Sequence, residues 1–123
     1  MALSSSSDAE IVERILNFDA RIRYCAVVDP DGQVLEGGMR EGLSPLEPAN
    51  QTKVILTRST LIMKMFEASE EFFGAVKAAM VLHESIVLAV LALSQSKFLV
   101  ISCDPSFFVN LTQLSEVAKS GSP

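Results

Sequence analysis

Between Ala75 and Cys103 the chain carries three apolar stretches separated by two short polar breaks. Ala75 to Leu82 alternates, with Val76, Ala78, Met80 and Leu82 on one side and Ala75, Lys77, Ala79 and Val81 on the other, the period of a half-buried strand. Ile86 to Leu93 is apolar on both sides, as a central strand covered above and below requires. Phe98 to Cys103 is the third stretch. The breaks at His83-Glu84-Ser85 and Ser94 to Lys97 are too short for a crossover helix, so the spacing predicts an antiparallel meander.

Upstream, Ser7-Asp8-Ala9-Glu10 has the form of a capping box, and Ile11, Val12, Ile15 and Leu16 make one stripe of a helix over about Asp8 to Asp19. Arg21 to Val28 alternates as a first strand. Asp29-Pro30-Asp31-Gly32 is a turn in which glycine takes the left-handed position, and Gln33 to Met39 returns as a second strand. Gly37-Gly38 within it marks a bulge, a frayed end or a close backbone approach. Ser44-Pro45-Leu46-Glu47 reads as a second capping signature with Pro45 at the first helical position, although Pro48 allows a start two or three residues later. The helix runs to about Ala68, and Glu67, Glu70 and Glu71 carry the wrong sign for its C-terminus, so fraying is expected there. Asp104-Pro105 opens a last helix with Phe107, Leu111, Leu114 and Ala118 on one face. Residues 1–6 and 120–123 read as tails, the first of them disordered, around one domain over residues 7–119.

The long helix has two apolar sides. Stepping 100° per residue from Val54, the positions Leu61, Met65, Arg58, Ile62, Ile55 and Phe66 fall in one arc of roughly 140°, and this wider arc is the expected core face. Arg58 lies inside it, either snorkelling from the margin or paired with a carboxylate. Leu56 and Met63 fall on the opposite side beside Ser59 and Thr60, flanked by Lys53 and Lys64. They are either singly exposed or set against a partner helix.

The 123 residues are 49% hydrophobic with net charge −5, enough for a well-filled core. No basic cluster is present, which disfavours nucleic-acid binding. The longest uncharged stretch, Ser85 to Ser96, falls short of the ~20 residues of a membrane span. The N-terminus has neither a basic nor an apolar leader region, so a cytoplasmic location is expected. Cys25 and Cys103 lack CxxC spacing and lie within strands, the pattern of reduced, buried thiols. His83 is the only histidine and sits in a turn. No nucleophile–base set can be assembled without it, no phosphate loop occurs, and Asp29, Asp31 and Glu36 lack the spacing of a calcium loop. The expectation is a protein that is not an enzyme and uses no cofactor or metal.

The element order α-β-β-α-β-β-β-α resembles the Roadblock (dynein light-chain) domain, a longin-related fold. Val27 to Leu35 is similar to that family's first hairpin, and Phe98 to Pro105 to its last strand entering the final helix. Arg21 to Glu47, above all Gly37 to Glu47, looks like a group of small archaeal proteins of unknown function. The resemblance implies an α+β fold with a five-stranded antiparallel sheet between helices, the fifth strand returning beside the first and the second and third at the edges. It also implies a homodimer serving as a platform or regulator for a small GTPase. Because Lys77 alone guards the third strand, the implied interface comprises Leu56, Ser59, Thr60 and Met63 of the helix with Val76, Lys77, Ala78, Ala79 and Met80. The alternative is a small-ligand sensor of profilin-like or PAS-like type. That reading needs a cavity of several hundred Å³ between sheet and helix, with Tyr24 and Arg58 the polar candidates.

Overall fold

The computed structural model describes residues 6–120 apart from Gln95 and Phe108; most of the two expected tails, residues 1–5 and 121–123, lies outside the described residues. Helix α1 (Asp8–Phe18) begins as its capping box predicts. Ser7 Oγ accepts from the Glu10 N–H at 3.1 Å, and Glu10 Oε1 accepts from the Ser7 N–H at 2.8 Å. Strands β1 (Ile22–Val28) and β2 (Val34–Met39) form the expected hairpin. Asp29 closes its turn by accepting the N–H groups of Asp31 and Gln33 on one carboxylate oxygen, both at 2.9 Å.

Of the three meanings open for Gly37-Gly38, close approach applies to Gly37. It has φ +99°, and a Cβ there would run into the Cys25 carbonyl oxygen and stand 3.0 Å from a Val12 methyl. The missing side chain lets β2 pair closely with β1 while α1 packs on both. Arg40 then locks the corner, donating to the carbonyls of Leu16, Asp19 and Ile22 and so satisfying the end of α1.

Helix α2 (Ala49–Met65) starts later than the Ser44-Pro45 signature suggests. Pro48 is its N-cap, and Glu47 accepts from the Thr52 hydroxyl at 2.9 Å instead of closing a capping box. Proline at the N-cap has no side-chain oxygen with which to cap the first turn. The α-helix ends at Met65, tightens to a 3-10 turn over Phe66–Ser69 and resumes for one turn as α3 (Glu70–Phe73), which Gly74 terminates. The acidic residues therefore lie beyond α2, Glu67 in the 3-10 turn and Glu70 and Glu71 in α3, where the latter two stand at a helix N-terminus of favourable sign.

Strands β3 (Ala78–Leu82), β4 (Val87–Ser94) and β5 (Lys97–Cys103) form the antiparallel meander. β3 is shorter than expected because the chain at Val76 is still held to α3, its N–H donating to Glu70 Oε2 at 3.1 Å. The last helix also starts late: α4 spans Leu111–Ser120. Asp104 caps only a turn, accepting from the Ser106 N–H at 2.9 Å, whereas Asn110 Oδ1 accepts from the Gln113 N–H at 3.0 Å and supplies the helix cap. Phe107 therefore packs from the loop, edge-on to Phe18 and under the Arg21 guanidinium.

The strand order β2-β1-β5-β4-β3 places the fifth strand beside the first and leaves β2 and β3 at the edges. On one face Ile11, Val12 and Ile15 of α1 meet Leu114, Val117 and Ala118 of α4 over Cys25, Val27, Leu99 and Ile101. Arg14 ties the two helices by donating to the Val117 and Ala118 carbonyls at 3.1 and 2.6 Å. On the other face Leu56 and Met63 of α2 pack on Ala26, Val28, Val90, Phe98 and Val100. The result is a three-layer α/β/α sandwich.

Candidate functional site

The face that α2 turns to the sheet is the opposite of the one its hydrophobicity suggests. Leu56, Ser59, Thr60 and Met63 are the buried residues of the helix, at 3%, 8%, 1% and 1% exposure. Leu61, Met65 and Phe66, assigned to the core, are 50%, 65% and 59% exposed, and Arg58 lies in solvent with them. Small side chains explain the inversion. Ser59 Oγ donates to the Ile55 carbonyl at 2.9 Å and Thr60 Oγ1 to the Thr57 carbonyl at 3.0 Å, so both hydroxyls enter the core already bonded. The helix backbone also lies close to the β1–β2 turn. At Gly32 (φ +84°) an added Cβ would stand 2.9 Å from the Thr57 nitrogen. The spacing 56, 59, 60, 63 is itself a helical stripe, and Arg58 within the supposed core face was the contrary signal.

Of the nine residues assigned to an interface, those four are instead buried between α2 and the sheet of their own chain. The others are placed along or just before the β3 edge: Val76 and Ala79 pack against the α2-side core, Ala78 against the other, and Met80 is 47% exposed. The Ala92 N–H donates to the Lys77 carbonyl at 2.9 Å. With the observed register, pairs 77·92, 79·90 and 81·88 are then the hydrogen-bonded ones, and the backbone groups of Ala78, Met80 and Leu82 point to the open edge. Leu82, 70% exposed, and Phe72 and Phe73, at 75% and 86%, extend the apolar surface around α2 and β3.

A groove of about 550 Å³ opens between α2 and the sheet. Tyr24, Ser102, Leu88 and Val81 lie along its floor, and Ile55, Arg58 and Ile62 of α2 line its wall. Tyr24 and Ser102 are direct partners in the β1–β5 register and share the α2 face. Burial pushes the Tyr24 phenol up to about 12, aided by nearby Cys25 and the Glu47 carboxylate, so it stays protonated. His83, exposed in the β3–β4 turn as expected, also borders the groove. Its position there was invisible in the sequence because the turn is brought near α2 only by the sheet.

Cys25 and Cys103 are buried free thiols on neighbouring strands. Burial pushes Cys103 up to about 12 and Cys25 higher still, so neither is a nucleophile at neutral pH. Among the described residues no group of three His, Cys, Asp or Glu side chains converges to hold a metal, and no helix is long and apolar enough to cross a membrane.

This strand order, with α2 on one face and α1 and α4 on the other, is the Roadblock/LC7 fold, of the α+β class. Solved structures that share it include the gliding protein MglB from Thermus thermophilus, with a TM-score of 0.70 at 18% identity over 89% of this chain and 80% of that one. An MglB in a tetrameric arrangement gives 0.68 at 19% identity over 86% and 76%. A Roadblock/LC7 domain from Streptomyces avermitilis gives 0.64 at 15% identity over 89% and 87%. At these identities the likeness is one of fold. The sequence matches no family model and no curated protein.

Proposed function

We propose that this chain is a self-associating interaction module that works by binding and not by catalysis, and that its partner beyond itself is a small GTPase. The observations that carry the reading are the outward apolar residues Leu61 and Met65 of α2 with Phe66 in the turn that follows, each half exposed or more, and the open edge of β3. A second copy would cover these residues and satisfy the backbone groups of Ala78, Met80 and Leu82 by strand pairing. The tetrameric arrangement of a similar MglB supports self-association in this fold. The GTPase partner rests on the Roadblock resemblance, which implies a platform or regulator.

Sedimentation at tens of micromolar tests the first part. Wild type should run as a dimer, and a folded Leu61→Glu/Met65→Glu variant as a monomer. A wild-type monomer would remove the reading. For the second part, the purified chain should bind a small GTPase of its host in one nucleotide state more than the other. A second reading, small-ligand sensing, is favoured by the groove, whose volume lies in the ~300–1,000 Å³ range of ligand sites.

A further inference from the structure

We propose that the groove beneath α2 binds an amphipathic carboxylate, an aliphatic or flat apolar body bearing a single anionic head. The inference rests on the small-ligand reading above and names the class of ligand.

Ile55 and Ile62 on the helix and Val81, Leu88 and Val90 on the sheet form two apolar walls around a space of about 550 Å³, which suits an apolar body. An apolar body alone does not match the floor. Ser102 is only 6% exposed, yet its hydroxyl bonds to nothing among the described residues, and the Tyr24 hydroxyl opposite it is equally without a partner. No buried side-chain oxygen is sealed off unbonded, so the Ser102 hydroxyl reaches the groove. A ligand that expels water from these two donors must bring acceptor atoms or leave them unpaired, which is costly.

Charge gives the sign of those acceptors. The chain carries net charge −5, yet the groove is bordered by two guanidiniums, Arg23 and Arg58, against the single carboxylate of Glu47. Arg23 already donates to the Ser44 carbonyl at 3.0 Å, and Glu47 is bonded by the Thr52 hydroxyl. Arg58 has no hydrogen bond or ion pair among the described residues. Its planar fork fits a carboxylate bidentately. Glu47 lies close enough to raise the Tyr24 phenol, and the two guanidiniums outnumber its charge at the groove.

The test titrates the purified full chain with decanoate, decanol and decylammonium by calorimetry, with sedimentation of the same samples. Decanoate should bind saturably at one site and the other two at least tenfold more weakly. Arg58→Gln should weaken decanoate about tenfold, the loss of one charge-assisted contact, and leave decanol unchanged. Ser102→Val, checked for folding by its thermal transition, should weaken it further. Saturable decanol or decylammonium binding as tight as decanoate overturns the anionic assignment while the ligand-site reading stands. No saturable binding of any of the three overturns both. So does a dimer that excludes decanoate at every protein concentration, since the second copy then occupies the groove.

Discussion

Truncating Met63 and Leu61 in parallel tests which side of α2 is the interior. Met63 is 1% exposed among Leu56, Val90 and Val100, whereas Leu61, two positions earlier, is 50% exposed on the outer stripe. Met63→Ala removes a buried thioether and its methyl, and the rigid sheet beneath cannot collapse into the gap. The cost is the lost transfer free energy plus the cavity, about 2–5 kcal/mol. Leu61→Ala removes a side chain that already meets water over half its surface, and the cost to the isolated chain is below about 0.5 kcal/mol. Urea unfolding at sub-micromolar concentration, where self-association is diluted out, measures both. The gap should be at least about 1.5 kcal/mol, with Met63→Ala the weaker protein. If Leu61→Ala costs as much as Met63→Ala in the dilute limit, the orientation of α2 described above is wrong. Raising the protein concentration adds a second reading. Wild-type stability should climb with concentration, and the Leu61→Ala protein should climb less.

Other consequences can be checked with the same equilibrium methods. Gly37→Ala places a Cβ against the Cys25 carbonyl at a positive φ and should cost at least about 3 kcal/mol in urea unfolding, far more than the same change at Gly42, where open space surrounds the position. The Asp19 carboxyl is held at about 2, first by the Arg21 side chain and then by the Arg21 backbone N–H. A lowered folded value means stability that is present above ~pH 4 and lost as pH falls towards 2. Asp19→Asn should flatten that part of the acid profile and leave the neutral range nearly level. Thiol labelling at pH 8 should proceed only through unfolding, because burial raises both cysteines. Reductant should leave the midpoint unchanged, and a large shift would reveal a disulfide.

Features governed by a few adjacent residues were legible in the amino-acid sequence. The Ser7–Glu10 box, the Asp29–Gly32 turn and the meander from β3 to β5 need only short-range hydrogen bonding and strand period, and each formed, β3 alone starting three residues late. The strand order followed from the resemblance and not from any residue, since β1 and β5 meet across a long separation in the chain. Helix starts were less secure. Ser44 and Asp104 both carry capping chemistry, but Ser44 lies in irregular chain and Asp104 caps only a turn, and Pro48 and Asn110 begin the helices.

The candidate site was legible in its components and misread in its orientation. Hydrophobicity ranks a helix face by transfer free energy, and by that measure the stripe through Val54, Leu61 and Met65 belongs inside. Burial also depends on how closely a helix can approach a sheet and on whether polar groups arrive already satisfied. Ser59 and Thr60 meet both conditions through bonds to their own helix, and the bulkier stripe is left in solvent with Arg58. The groove has the same origin. Tyr24, Arg58, His83 and Ser102 come from four separate elements with no shared spacing, and they come together because α2 spans the sheet without covering all of it. Backbone hydrogen bonding is local and shows in short motifs, whereas the fit of one layer on another is a property of the assembled surfaces.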